Sequence, residues 1–266
     1  MRRFSPEYLD RTRRGMWTES RAALDPLDLP SRSRVLDVGC GTGELTQVLA
    51  DEAADADVVG VDADTDLLAV ARDRTDLSYC AADAMRLPFP DDAFDLVVCQ
   101  ALLINLPDPA AAVAEFARVS SDLVAAVEPN NADVAVSSTA AAESALEQRV
   151  RSAYIGGVGT NVALGDRVRQ FFADAGLSDL RTRRYVHEKR VEPPYSEADL
   201  KGAARKASGA GLADHETELR EALGPDAYDE LRREWRSMGR NVVEQMQSDE
   251  YERVEVVPFD VTVGRV

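Results

Sequence analysis

The chain has 266 residues, 45% of them hydrophobic and 30% charged, which is enough for one large domain with a buried core. Every apolar run is interrupted before it reaches the ~20 residues of a membrane span, and the chain turns acidic at Glu7 before an apolar signal core could form. Cys40, Cys80 and Cys99 lack the paired spacing of a disulfide framework or a zinc site. We therefore expect a cytoplasmic protein with no membrane span and no bound metal.

The net charge of −17 comes from 48 acidic residues spread along the chain against 31 basic ones, of which only Lys189, Lys201 and Lys206 are lysines. A balance this acidic normally disfavours binding to nucleic acid. Scarce lysine with acids everywhere is also typical of adaptation to a salty cytoplasm, because salt screens the self-repulsion of the surface. The net charge is therefore weak evidence about partners, and we predict a halophilic protein.

If this hypothesis holds, the free energy of unfolding rises steeply as salt is added up to the molar range, since the acidic surface repels itself less when it is screened. Urea unfolding followed in dilute buffer and in molar salt measures the effect. Equal stability in the two media would contradict the hypothesis.

The predicted elements alternate along most of the chain. Residues 5–24 place apolar side chains among many charges and predict one or two amphipathic helices. The predicted strands are 35–38, 58–61, 77–81, 94–99, 123–127, 180–186 and 254–263. The first predicted helix inside this series follows residue 43, and the others cover 67–74, 110–119, 139–154, 165–175 and 226–247. This rhythm with near-continuous apolar strands predicts an α/β fold with a mostly parallel sheet and helices on both faces.

The second half of the chain is less regular and predicts an insertion. The sequence Ser196-Glu197-Ala198-Asp199 is typical of a helix that starts with a capping box, and 226–247 carries an apolar stripe at spacings of three and four. The predicted organisation has three parts, which are an N-terminal helical cover over 1–30, a core over 31–188 and 251–266, and a helical insertion over 189–250.

One segment joins a strand end to a glycine-rich turn, and its sequence is Asp37-Val38-Gly39-Cys40-Gly41-Thr42-Gly43. The three glycines let the turn adopt positive φ and let a ligand touch the backbone. The helix that follows offers free N–H groups to an anionic group. A dinucleotide-binding G-x-G-x-x-G turn would have its third glycine at position 44, where this chain has Glu44. The spacing predicts a nucleotide-type cofactor and leaves its class open.

Two acids follow the next two predicted strands. Asp62 ends the second strand about 20 residues after the glycines, where a carboxylate can accept hydrogen bonds from both hydroxyls of a ribose. Asp83 follows the third strand, where it can accept a hydrogen bond from the amine of an adenine, with the N–H of Ala84 beside it. An acid at the end of the second strand is shared by two classes of cofactor-binding enzyme.

In order, the glycine turn, Asp62, Asp83-Ala84 and Phe94-Asp95-Leu96-Val97 resemble the motifs of class I S-adenosylmethionine-dependent methyltransferases. The resemblance is greatest to the small-molecule "type 11" branch, which is similar to enzymes of ubiquinone and menaquinone biosynthesis, and it covers roughly residues 31–129. It implies a Rossmann-like, seven-stranded, mostly parallel sheet, S-adenosyl-L-methionine as the cofactor, and methyl transfer to a small-molecule acceptor.

Position by position, the resemblance assigns eight residues to the cofactor. It implies that Gly39, Gly41 and Gly43 contact the methionine part of the cofactor and that Asp37 orients its amino group. It also implies that Asp62 binds the ribose, that Asp83 and Ala84 bind the adenine, and that Gln100 lies beside the sulfonium. For Asp37 a buried acid that caps loop amides is the alternative role.

The acceptor is expected over the carboxyl ends of the strands, in a pocket to which the 189–250 insertion contributes. Five residues are candidates for contact with it, namely Trp17, Glu128, Asn130, Asn131 and Tyr154. Many relatives carry a His pair after the fourth strand, where this chain is largely apolar, so no catalytic residue is predicted. Displacement driven by proximity needs no base when the nucleophile is already reactive.

Two other functions are compatible with the sequence. An RNA or protein methyltransferase would show a localised arginine face, which we would seek at Arg181, Arg183, Arg184 and Arg190, although an exposed strand face explains the same residues. A non-catalytic or nicotinamide-binding Rossmann protein would bind NADH rather than S-adenosylhomocysteine. We expect a small molecule rather than a nucleic acid as the partner.

Overall fold

The computed structural model describes residues 4–13, 15–18 and 20–266. Of the predicted N-terminal cover, residues 1–3, 14 and 19 therefore lie outside the described part of the chain. Among the described residues, no helix is both long enough and apolar enough to cross a membrane.

The chain folds into two compact units. The first comprises Met1–Pro129, Leu164–Tyr185 and Phe259–Val266, and the second comprises Asn130–Ala163 and Val186–Pro258. The domain limits that the sequence suggests, at residues 30, 188 and 250, follow composition rather than compactness and stay a prediction.

Eight strands are found in the described part of the chain. They are β1 (Arg34–Val38), β2 (Asp57–Asp62), β3 (Ser78–Ala81), β4 (Phe94–Gln100), β5 (Ser120–Pro129), β6 (Ala135–Ser138), β7 (Ser178–Val191) and β8 (Arg253–Arg265). In the first unit their order is β3-β2-β1-β4-β5-β8, with β7 beside β8. The first five run parallel, and β8 runs antiparallel to β5.

The register of the parallel strands decides which residues meet at the edge of the sheet. Val38 of β1 pairs with Val61 of β2 and with Cys99 of β4, and Asp62 of β2 pairs with Ala81 of β3. The carboxyl ends of β1 to β4 therefore lie side by side, which is where parallel sheets place ligands.

The predicted Rossmann-like α/β class is confirmed, and the predicted number of strands is corrected from seven to eight. The additional strand is β6, which pairs with the first half of β8 in the second unit. Its sequence, Ala135-Val136-Ser137-Ser138, has one large apolar residue and no clear alternation. Pairing with a distant segment orders it, and a local pattern does not reveal such pairing.

Ten α-helices accompany the sheet in the described part of the chain. They are α1 (Pro6–Arg13), α2 (Glu44–Glu52), α3 (Thr65–Arg74), α4 (Pro109–Val119), α5 (Glu143–Gly157), α6 (Arg167–Asp174), α7 (Glu197–Ser208), α8 (Ala210–Ala213), α9 (Glu216–Leu223) and α10 (Pro225–Gln247). The predicted capping box at the start of α7 is confirmed, since Ser196 Oγ accepts from Asp199 N and Asp199 Oδ2 accepts from Ser196 N.

The core of the first unit is built on the strands with near-continuous apolar runs. Leu36, Val97 and Val124 of β1, β4 and β5 are fully buried, and Phe116 of α4 and Phe172 of α6 pack in the same cluster. Burying side chains of this size stabilises a fold by about 1.5–3 kcal/mol each. The edge of the sheet therefore rests on a well-packed support.

The second unit buries an ionic cluster that the sequence does not reveal. Glu143 of α5 is fully buried, forms an ion pair with Lys206 of α7, and accepts a hydrogen bond from Tyr251 Oη at 2.9 Å. Arg253 Nε of β8 lies 3.5 Å from the same carboxylate. Burial raises the pKa of Glu143, but the charges of Lys206 and Arg253 lower it by more, so its pKa lies below the usual value and the group stays charged. The charged cluster thereby links α5, α7 and β8.

Candidate cofactor site

The turn between β1 and α2, which we name the glycine elbow (residues 39–43), has glycine at the three positions where its backbone takes a positive φ. Gly39, Gly41 and Gly43 have φ values of 75°, 55° and 81°, a region that side chains with a Cβ rarely adopt. A Cβ added at Gly39 would lie 2.8 Å from Leu102 Cδ1, and one added at Gly41 would lie 3.1 Å from Leu9 Cδ1. The side chains of Leu102 and Leu9 therefore pack directly against the backbone of the elbow.

Asp37 lies beneath the elbow with one carboxylate oxygen in use. Its side chain is buried, and Oδ2 accepts a hydrogen bond from Thr46 Oγ1 at 2.7 Å, whereas Oδ1 has no hydrogen-bond partner among the described residues. Burial raises the pKa of Asp37 to about 6. Buried acceptors without a donor are rare in folded proteins, so Oδ1 is suited to a donor that a ligand brings.

A second buried acceptor without a partner lies on the neighbouring strand. Gln100 is the last residue of β4, and its Nε2 donates to Met16 Sδ at 2.8 Å, while its Oε1 has no partner in the described part of the chain. β4 pairs directly with β1. The edge of the sheet therefore presents two unused acceptor oxygens, from Asp37 and Gln100, beside the elbow.

Asp62 links the elbow to the end of β2. Its Oδ2 accepts a hydrogen bond from Gly41 N at 2.9 Å, and its Oδ1 accepts one from Asp64 N at 2.8 Å. Each carboxylate oxygen can accept a second hydrogen bond. The side chain therefore orders the elbow and keeps capacity for two hydroxyl groups.

The turn after β3 holds the predicted adenine-binding pair. Asp83 is exposed, and its Oδ1 accepts a hydrogen bond from Met85 N at 3.0 Å, while Ala84 is buried in the same cluster as the strand ends. The structure thus places all eight predicted cofactor residues on or just after β1 to β4.

The five acceptor candidates do not lie in one unit. Trp17 belongs to the first unit, where it is buried with an indole N–H that has no partner among the described residues, and it lines a cleft of about 720 Å³ with Thr42 and Gly43. Asn130, Asn131 and Tyr154 belong to the second unit. Asn131 Nδ2 donates to Val162 O at 2.7 Å, and the contact of these residues with an acceptor stays a prediction.

Glu128, the remaining candidate, binds backbone. Its Oε1 accepts from Leu102 N at 3.0 Å and from Leu103 N at 2.9 Å, and its Oε2 accepts from Ile104 N at 3.4 Å. Burial raises the pKa of this carboxyl to about 7, against the lowering effect of these amides. Glu128 therefore fixes the loop that places Leu102 on Gly39, and its predicted contact with an acceptor stays a prediction.

Two residues at the site escape the sequence analysis. Thr46 supplies the hydroxyl that holds Asp37, and its position in the first turn of α2, nine residues after the acid, is a signal that could have been used. Met16 contacts Gln100 across 84 residues of sequence. No local pattern announces that contact.

The fold and the glycine elbow are typical of α/β proteins that bind nucleotide-type cofactors, and the comparisons with known proteins show which family the segment around the elbow is similar to. Residues 36–122 match the family model described as a methyltransferase domain. Demethylmenaquinone methyltransferases from Beutenbergia cavernae and Bacillus licheniformis are 42% and 37% identical over 101 and 98 residues, which cover 38% and 35% of this chain. The same matches cover 41% and 42% of those proteins, so the chain spans less than half the length of the curated relatives it matches.

A solved structure supports the fold along nearly the whole chain. A protein of Bacillus halodurans assigned as a methyltransferase matches with a TM-score of 0.52 at 17% identity, covering 92% of this chain and 99% of that one. Similarity at this identity concerns the fold alone. The structural match supports the Rossmann-like fold, and the family match confirms the expected resemblance to class I S-adenosylmethionine-dependent methyltransferases over residues 36–122.

The residues at the elbow fit this cofactor. S-adenosylmethionine has an ammonium group and a sulfonium, both positive, and the site offers the unpartnered acceptors Asp37 Oδ1 and Gln100 Oε1. S-adenosylmethionine has no pyrophosphate, and the acid Glu44 at the start of α2 does not favour the binding of one. When bound, it supplies an electrophilic methyl group.

Proposed function

We propose that this chain transfers a methyl group from S-adenosylmethionine to a small-molecule acceptor by in-line displacement. The observation that carries the proposal is a pair of buried acceptor oxygens, on Asp37 and Gln100, that have no partner among the described residues and lie beside a glycine elbow ordered by Asp62. The ammonium group of the cofactor would supply a donor to Asp37 Oδ1, and the positive sulfonium would lie against the partly negative oxygen of Gln100, so a cationic ligand compensates both oxygens.

The roles that we propose for the eight residues are those that the resemblance implies, and their places at the edge of the sheet are compatible with them. The glycines of the elbow allow close approach of the methionine part, Asp37 holds its ammonium group, and Gln100 borders the sulfonium. Asp62 accepts from the ribose hydroxyls, and Asp83 with Ala84 binds the adenine. Three of the eight residues are acids and none is basic, which suits a ligand whose reacting end is positively charged.

The chain contributes to the reaction mainly by positioning and by excluding water. Methyl displacement develops little new charge, so holding donor and acceptor in line supplies most of the acceleration. Leu9 and Leu102 pack on the elbow, and Trp17 is buried next to it in the first unit. These apolar side chains keep water from the glycines. The nearby buried carboxylate, Glu128, is engaged by three amides and is not assigned a role as base.

A small molecule is the acceptor that the relatives favour. The two curated relatives described above are named demethylmenaquinone methyltransferases, and the acceptor in their name is neither a nucleic acid nor a protein. The matching segments lie in the part of the chain that builds the elbow and the strand ends, so we extend to this chain only the class of acceptor.

The proposal is tested with purified protein, methyl-labelled S-adenosylmethionine and a metabolite extract, RNA and protein as separate acceptor pools. We expect label in the small-molecule pool, with none when the protein is omitted. Label in RNA or protein alone would contradict a small-molecule acceptor. Calorimetry that detects NADH binding but no S-adenosylhomocysteine binding would overturn the cofactor as well.

The affinity for S-adenosylhomocysteine should depend on pH through Asp37. Burial raises the pKa of this carboxyl to about 6, and an ammonium group binds its ionised form. Affinity is therefore expected to rise as pH increases through about 6 and then to level off. Calorimetry across this range measures the effect, and Asp37→Asn should bind more weakly with no inflection there. A wild-type affinity that stays constant from one unit below this pKa to one unit above it would refute the role of Asp37.

A further inference from the structure

Arg13 lies on the glycine elbow. It is the last residue of α1, and its Nη1 is 3.6 Å from the position of a Cβ built on Gly41, next to the Leu9 contact from the same helix. The C-terminal turn of α1 therefore places a guanidinium over the backbone that the proposed function assigns to the methionine part of the cofactor.

This guanidinium has no acidic partner within the described part of the chain, although acids surround it. The neighbouring arginines are engaged: Arg21 pairs with Glu52 at 2.6 Å, and Arg74 pairs with Asp10 at 2.9 Å. Arg13 forms no ion pair or hydrogen bond of this kind with a described residue.

The charge of Arg13 acts on two acids near the elbow, in agreement with the short distance to Gly41. Burial raises the pKa of both Asp37 and Glu44, whereas the positive charge of Arg13 lowers the pKa of each. The cation is thus close enough to influence the buried acid beneath the elbow. It still leaves Asp37 Oδ1 without a hydrogen-bond partner.

The elbow therefore presents both halves of a receptor for an α-amino acid. Asp37 Oδ1, which has no partner among the described residues, suits an ammonium group, and the guanidinium of Arg13, which has no acidic partner among them, suits a carboxylate. A planar guanidinium can bind a carboxylate through two parallel hydrogen bonds, which a lysine ammonium cannot reproduce.

We propose that Arg13 binds the carboxylate of the cofactor's methionine moiety and so makes α1 part of the cofactor site. This inference rests on the proposed function, because it presupposes that the elbow binds an S-adenosyl amino acid. It gives the N-terminal cover a specific task, which is to select cofactors that carry a free amino-acid carboxylate.

Calorimetry with two ligands tests the inference without measuring activity. S-adenosylhomocysteine carries the carboxylate, and decarboxylated S-adenosylhomocysteine differs from it only in lacking this group. We expect wild-type protein to bind the first at least about tenfold more tightly than the second, the scale of a hydrogen-bonded ion pair. In Arg13→Gln this preference should fall to near unity, because only the carboxylate-bearing ligand loses affinity.

Two further variants serve as controls. Arg11→Gln removes a cation from the same helix, where Arg11 stacks on Tyr8 with its guanidinium carbon 5.4 Å from the ring centroid, and it should keep the wild-type preference. Arg13→Lys keeps the positive charge without the planar guanidinium and should retain part of the preference. Unchanged binding of the decarboxylated ligand by Arg13→Gln shows that the variant is folded.

The outcomes separate the two proposals. If Arg13→Gln and Arg13→Lys keep the full wild-type preference for the carboxylate-bearing ligand, the role of Arg13 is refuted while the proposed function stands. If the wild-type protein binds neither ligand, the proposed function fails and the inference fails with it.

Discussion

Replacing Asp62 by alanine is expected to weaken S-adenosylhomocysteine binding by at least about tenfold, because two ribose hydroxyls lose a charged acceptor worth about 1.5–3 kcal/mol. The structure adds a second reason. Asp62 Oδ2 also accepts a hydrogen bond from Gly41 N at 2.9 Å. The substitution therefore removes a hydrogen bond that orders the elbow in addition to the contact with the ribose. Calorimetry measures the affinity, and Asp62→Asn, which keeps one acceptor oxygen, should fall between alanine and wild type.

Asp64→Ala is the matched control for this variant. Asp64 lies two residues further along, and its side chain caps α3 by accepting from Asp66 N at 3.0 Å and from Leu67 N at 3.4 Å. Its loss should lower the free energy of unfolding by about 1 kcal/mol, as for other N-cap residues, and leave the affinity unchanged. Equal affinities of Asp62→Ala and wild type would remove Asp62 from the site.

Replacing Gly239 by alanine is expected to destabilise the second unit by about 1–3 kcal/mol or more, because the added methyl group has no space. Gly239 lies in α10 where this helix meets α7, and a Cβ would lie 2.7 Å from Ala207 Cα and closer still to Ala207 N and Lys206 C. These are backbone atoms, so the two helices must separate to accommodate the change. Urea unfolding gives the free-energy difference.

Gly202→Ala, on the other helix of the same pair, should have the opposite sign. A Cβ at Gly202 of α7 meets nothing within 4 Å, so the variant gains the helix preference of alanine over glycine, about 0.5–1 kcal/mol. Stability of Gly239→Ala equal to or above that of wild type would contradict the close packing of α7 on α10.

The sequence predicts the glycine elbow and the acids after β2 and β3 because each depends on a local signal. Positive φ requires glycine at three positions within five residues, and short apolar runs mark the strands that end beside it. The parallel arrangement then follows from the alternation of strands and helices. These features need no knowledge of distant contacts.

The missed features are long-range. Met16 reaches Gln100, and Glu128 reaches the amides of residues 102–104, over separations that no local pattern encodes. β6 is ordered by pairing with β8, more than a hundred residues further along the chain. The sequence shows a glutamate at a strand end, and only the fold shows that its oxygens hold a loop.

The most direct test of the central claim is a crystal structure of the protein with S-adenosylhomocysteine. We predict the nucleoside at the glycine elbow, with its ribose hydroxyls on the carboxylate of Asp62 and its amino group facing Asp37. The claim would be contradicted by a ligand bound elsewhere while Leu9 and Leu102 remain packed on the glycines.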